Sequence, residues 1–146
     1  MAEPTPQTYA NHTRYVPLYH YVGWPIFLLN LLWAVYRLVT DFSVETCFGA
    51  LLALGLLVTL LYARTFAVMA QDRIIRLEER LRMRELLPDD LQTRINDFTT
   101  SQLIALRFAS DAELPDLARQ VLAEEITSRK VIKERIQTWR PDYQRV

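Results

Sequence analysis

The sequence predicts an all-α membrane protein: an antiparallel two-helix transmembrane hairpin, its second helix extended into the cytoplasm, followed by a small cluster of short helices. Three observations predict it. Two long runs, residues 15–36 and 46–63, contain no charged side chain. The stretch that leaves the second run, residues 64–87, contains neither Gly nor Pro. Beyond Pro88 the chain shows helix-start signals and no alternating strand pattern.

Residues 1–21 form a cytoplasmic tail and interface segment. Its first residues, MAEPTPQT, have the composition of a segment disordered in isolation. The segment carries one cation, Arg14, and lacks a small-residue cleavage pattern, so the first apolar run is an uncleaved span and not a signal peptide. A helix rises 1.5 Å per residue, so crossing the hydrocarbon takes about 20 apolar residues, and both runs meet that length. The hairpin is placed at 22–65, with spans at about 22–40 and 44–65. The few residues between them hold Asp41 and Glu45 and only reverse the chain, making the spans antiparallel neighbours. Arg37, one turn before the loop, snorkels toward that surface.

Fifteen of the 17 basic residues lie from Arg64 onward. The positive-inside rule therefore places both termini in the cytoplasm and the acidic loop outside. The aromatics fit this: Tyr15, Tyr19, Tyr21, Trp24, Tyr62 and Phe66 form an inner belt, and Trp33, Tyr36, Phe42 and Phe48 lie toward the outer one. The second span carries small residues at four-residue steps, Gly55, Thr59, Ala63 and Ala67, with a second set at Gly49 and Ala53. Small side chains let another helix approach closely. Folding the hairpin about its loop sets Asn30 opposite Gly55 and Thr59, so packing within the hairpin is favoured over packing on another protein.

Residues 66–87 continue the second helix, giving one helix from about Val44 to Leu87. Ile74, Leu77 and Leu81 keep a narrow apolar stripe, and Asp72 with Arg76 and Glu78 with Arg82 are acid-before-base pairs at i,i+4. Arg14, Arg64, Arg73, Arg76 and Arg80 are the candidate contacts to anionic lipid head groups, the alternative being a solvated helix face. Residues 88–146 form the helical cluster. Thr99 with Gln102 and Ser110 with Glu113 are capping-box patterns, and Thr127 caps a last helix burying Val131, Ile132, Ile136 and Trp139. A cluster this small is marginal alone and leans on the long helix or on a partner.

The chemistry available is sparse. Seventeen Lys+Arg balance 17 Asp+Glu, and the region from Arg64 on nets about +1, no footprint for nucleic acid. That region has no Gly, His or Cys, which excludes phosphate-cradling loops, a thiol nucleophile, an imidazole base and the usual zinc sites. Asp89 with Asp90 and Glu124 with Glu125 are adjacent on a helix and do not share a face. His20, where the first span enters the membrane, is a weak candidate ligand for a metal or a pigment's metal ion; an interfacial hydrogen-bonder is the commoner role. Cys47 reads as a packing residue. No catalytic residue, metal site or cofactor is expected, and no small-molecule substrate.

Three segments carry a resemblance: NHTRYVPLYH before the first span, ARTFAVMAQDRIIRLEERLR leaving the second, and LRFASDAELP with the terminal WRPDYQRV. Together they resemble a family of small bacterial two-span inner-membrane proteins of unknown function, over nearly the whole chain. The resemblance implies an inner-membrane location and no catalytic residues. Physically, Arg14 is placed to pair with Asp72, Arg107 and Asp111 to fix the turn around the FAS segment, and Trp139 and Tyr143 to fold back onto the core.

The expected function is a non-catalytic accessory or scaffold subunit of a larger inner-membrane complex, partnered by other membrane subunits and anionic lipids. An energy-converting assembly, photosynthetic or respiratory, is the natural host. The alternative is a membrane-tethered cytoplasmic adaptor or signalling module that binds a soluble partner. An enzyme relying on carboxylates and Tyr would need a carboxyl with a strongly raised pKa in a pocket.

Overall fold

The computed structural model describes residues 7–12 and 15–144. Among these there is no β-strand, only an isolated antiparallel bridge between Ala109 and Trp139. The helices are α1 (Trp24–Thr40), α2 (Val44–Leu86), α3 (Asp89–Gln92), α4 (Thr100–Leu106), α5 (Leu114–Ala123) and α6 (Arg129–Glu134), with a 3₁₀ turn at Ile95–Asp97. They divide into two compact units, Arg14–Val68 and the described residues of Met1–Thr13 with Met69–Val146.

The first unit is the hairpin. A π-helical turn, Leu18–Gly23, leads without a break into α1. The cause is Pro25, which has no N–H for the carbonyl of Tyr21 and whose ring crowds it. The backbone widens one turn, and the Trp24 N–H reaches the carbonyl of Tyr19 instead. Leu18–Thr40 and the apolar part of α2 are both long and apolar enough to cross a membrane. No residue of α1 is buried, and large apolar side chains such as Leu29, Trp33, Val39, Phe48 and Leu52 stand more than half exposed around both helices. Such a surface calls for an apolar solvent or a protein cover.

In the turn, Arg37 pairs with Asp41 at 3.1 Å. Ser43 caps α2 reciprocally: the Thr46 N–H donates to Ser43 Oγ (3.1 Å) and the Ser43 N–H to Thr46 Oγ1 (2.9 Å). At the other end, the Tyr19 hydroxyl donates to the carbonyl of Leu60 at 3.0 Å. A Cβ on Gly23 would meet the Leu60 side chain at 3.6 Å. Phe27, Leu31, Ala34 and Leu38 of α1 are half-shielded, as are Ala50, Leu57 and Leu60 of α2, where Ala53 is buried. Each set advances by three or four residues, so these are the facing stripes.

The second unit is built around α4, all but enclosed from Gln102 to Leu106. α2 delivers Met83 to this core, and Leu87, Leu91, Ile95 and Phe98 continue it through the connection. Leu114, Leu117 and Val121 of α5 and Ile132 of α6 close it. Thr99 and Gln102 form the expected capping box, and the Gln102 amide also donates to the Ile126 carbonyl at 2.9 Å, so its burial leaves no orphan polar group. The second expected box is half formed. The Glu113 N–H bonds Ser110 Oγ, but the Glu113 carboxylate accepts from the N–H groups of Gln137 and Thr138 at 2.8 and 3.0 Å. The cap of α6 is Ser128, one residue past the expected Thr127, and α6 stops at Glu134. Of its expected buried face, Ile132 is fully enclosed and Ile136 partly, whereas Val131 is exposed. Beyond it the chain doubles back: the Ser110 N–H donates to the carbonyl of Thr138 and the Arg140 N–H to that of Phe108.

Candidate functional site

The densest assembly of charge and aromatic rings in the second unit starts from one residue of α2. Glu79 lies one turn from Ile75 and one from Met83, both buried, so the helix carries its carboxyl into the core face. Arg82, one turn on, meets it at 3.0 Å and extends to Asp111 (2.7 Å) and to the carbonyl of Ala109 (2.7 Å). Arg140 approaches the other Glu79 oxygen at 3.7 Å. Burial pushes the Glu79 carboxyl above its ordinary range; Arg82, then Arg140 and Arg107, pull the other way without cancelling the effect.

An aromatic stack adjoins this network. Phe108 and Trp139 lie parallel with ring centroids 4.5 Å apart. The Arg107 guanidinium sits 4.5 Å over the Phe108 ring and pairs with Asp142 at 3.3 Å. The amino-terminal segment completes the group. His12 meets Phe108 and Trp139 at 5.8 and 5.7 Å between ring centroids. Gln7 donates to the carbonyl of Asp142 (3.0 Å) and accepts from its N–H (2.8 Å). His12 Nδ1 lies 2.6 Å from the carbonyl of Tyr9, and its Nε2 lies 2.9 Å from Lys133 Nζ. Both ring nitrogens are thus occupied, which leaves no lone pair for a metal. Among the described residues no three His, Cys, Asp or Glu side chains converge.

The centre has the raised carboxyl that acid–base chemistry looks for, but Glu79 is enclosed, with Arg82 and Arg140 against its two oxygens. An open polar groove lies elsewhere on the unit, lined by Glu113, Asp116, Leu117, Gln120, Glu134, Arg135 and Gln137. Its walls are tied down: Arg135 binds Glu124 through two bonds of 2.8 and 2.7 Å, and Glu113 holds the backbone of Gln137 and Thr138.

The predicted site residues fall into separate places. Ala53 is enclosed on the facing stripe of the hairpin. The remaining small-residue stripe is not the packing surface within the hairpin. Gly49, Gly55, Thr59 and Ala63 are exposed, and a Cβ on Gly49 or Gly55 would touch nothing within 4 Å. Thr59 spends its hydroxyl on the carbonyl of Gly55 in its own helix (2.8 Å). Asn30 is exposed, one position off the α1 stripe, so the expected bond across the hairpin does not form. The Tyr19 bond to Leu60 and the Ser43 cap fix the rotation of α2, and they turn the Ala53 and Leu57 line, not the Gly55 line, toward α1. Ala67 is half-buried, and Cys47 is a free thiol, half-buried at the head of α2.

His20 sits between Tyr15 and Tyr19, ring centroids 5.5 and 5.0 Å away, with Nδ1 engaged by the backbone of Val16. Arg14 lies outside the described residues, and with it the pairing to Asp72; Asp72 approaches Arg129 at 3.9 Å instead. Arg64 is half-buried, Arg73 and Arg76 are exposed, and Arg80 is intermediate. Neither expected pair on α2 forms, because Arg82 is recruited by Glu79 and Asp111 and Asp72 by Arg129. Arg107 and Asp111 likewise pair with Asp142 and Arg82, not with each other. Trp139 folds onto the core as expected, whereas Tyr143 is half exposed. Sequence reasoning missed Glu79 as a hub and the docking of Gln7 and His12. The first had a signal, since Glu79 shares helical register with Ile75, Met83 and Leu87.

The chain belongs to a family of unknown function, DUF6526, whose model matches residues 1–146. No curated protein and no solved structure matches it.

Proposed function

Starting from membership in a family without an assigned activity, we propose that this protein is a non-catalytic accessory or scaffold subunit of a larger complex in a bacterial inner membrane. One observation carries the reading: the hairpin leaves its Gly55, Thr59 and Ala63 face uncovered while using a different stripe to hold itself together. In a bilayer, where apolar surface gains nothing by leaving lipid, small residues on an open helix face favour close packing against another helix. The second unit supports the same reading, since Glu79, Arg82, Arg107 and Arg135 are each spent on a charged partner within the unit. Both termini are cytoplasmic in this reading, with anionic lipids around the basic stretch and membrane subunits against the α2 face. The host is an energy-converting assembly, photosynthetic or respiratory.

Extraction of the tagged full chain from its native membrane in mild detergent tests this. Other membrane subunits should co-purify, and Gly55→Leu should release them without unfolding the hairpin. A chain that purifies alone overturns the proposal. Cross-links formed only through residues 88–146 to a soluble protein would instead favour an adaptor role.

A further inference from the structure

The α2 extension carries a second unpartnered face, distinct from the span. Ile74, Leu77 and Leu81 project outward, 56%, 62% and 51% exposed, while the buried line of the same helix is Ile75, Glu79 and Met83. Exposed Ala70 precedes them. The spacing 70, 74, 77, 81 is the alternating four-three step of a coiled-coil seam, with Ala70 and Leu77 at d and Ile74 and Leu81 at a. In that register Arg73 and Arg80 fall at g, and Glu78 and Glu85 at e. Among the described residues, these four flanking charges have no ion-pair partner. Arg82, Arg94, Arg107, Arg119, Arg129, Arg135 and Arg140 each have a carboxylate partner, whereas Arg73, Arg80, Glu78 and Glu85 have no ion-pair partner among the described residues. Arg84, at the next d position, ends the apolar seam.

We propose that this face pairs with a second copy of the chain as a short parallel coiled coil. Charge complementarity selects that occupant. In a parallel pair the g residue of one helix meets the e residue five positions on in the other. Arg73 then faces Glu78 of the second copy and Arg80 faces Glu85, each contact occurring twice by symmetry. An antiparallel pairing loses this match, and anionic lipid would leave both glutamates facing like charge. Copies inserted in one membrane with the same topology present α2 in the same direction, as the pairing requires. The helix is already formed and anchored, which offsets the shortness of the seam because little conformational freedom remains to be lost. The proposal does not depend on the chain being a subunit of a larger complex.

Cysteine cross-linking of the full chain in liposomes, on a Cys47→Ser background, tests it. Oxidation of Ile74→Cys, Leu77→Cys or Leu81→Cys should give disulfide-linked dimers, and Met69→Cys or Arg76→Cys, exposed off the seam, roughly fivefold less. With Leu77→Cys as reporter, Glu78→Arg/Glu85→Arg should cut the yield roughly tenfold, and so should Arg73→Glu/Arg80→Glu. Mixing those two charge-reversed chains should restore it as a heterodimer. Equal yields at every position, no dimer at all, or yields untouched by charge reversal would overturn the proposal. So would a yield that follows the anionic lipid content and ignores Glu78→Arg/Glu85→Arg, which assigns the arginines to head groups.

Discussion

Glu125 adopts a left-handed backbone, φ 51°, immediately after α5. It holds the place that glycine usually takes at a helix end, where the Ile126 N–H turns back to the carbonyl of Val121 at 3.0 Å. A side chain costs roughly 1 kcal/mol in that conformation, so Glu125→Gly should stabilise the full chain in detergent by about that much in denaturant titration. Glu79 and Arg82 make a less symmetric pair. Arg82→Ala strands a buried carboxyl and should cost roughly 3 kcal/mol, whereas Glu79→Gln removes the charge that burial penalises and should cost far less. A carboxyl whose pKa is raised by folding adds stability below its unfolded value and loses it as pH rises through the folded one. Wild-type stability should therefore decline as pH climbs from its ordinary 4.5 through the raised value, and this part of the decline should vanish in Glu79→Gln. Thermal midpoints of both chains across that range check it. The Glu125 turn was not legible in advance, because no local signal marks a non-glycine residue for a positive φ.

At the scale of elements, the hairpin separates two stripes of one helix. Ala53→Phe should disrupt the pairing of α1 and α2, because Ala53 is enclosed, while Gly55→Leu should leave it intact. Trypsin sensitivity at Arg37, in the last turn of α1, reads the difference. Both helices were plain in the sequence, since 18 or more uncharged apolar residues admit few alternatives. Their rotation was not, because apolarity all around a helix gives no moment, and small residues mark a surface fit for packing without saying which neighbour takes it. The helix ends of the second unit were legible where one side chain has one use, as with Thr99 and Gln102. They failed where a residue was drawn elsewhere: Glu113 to the backbone of Gln137, and Arg82 away from Glu78.

At the scale of the whole molecule, the membrane reading predicts topology. Alkaline phosphatase inserted between Asp41 and Phe42 should be active, and the same reporter fused at the carboxyl terminus inactive. Activity at the terminus overturns the assignment of sidedness. The bond between Gln7 and Asp142 has a consequence for biogenesis. It joins positions 135 apart in sequence, so it closes a long loop, and ring closure of that size is entropically late. The ribosome makes Gln7 well before Asp142. The segment from Gln7 to His12 therefore waits, undocked, until Asp142 has been made, and its docking on the aromatic stack is a late step of folding.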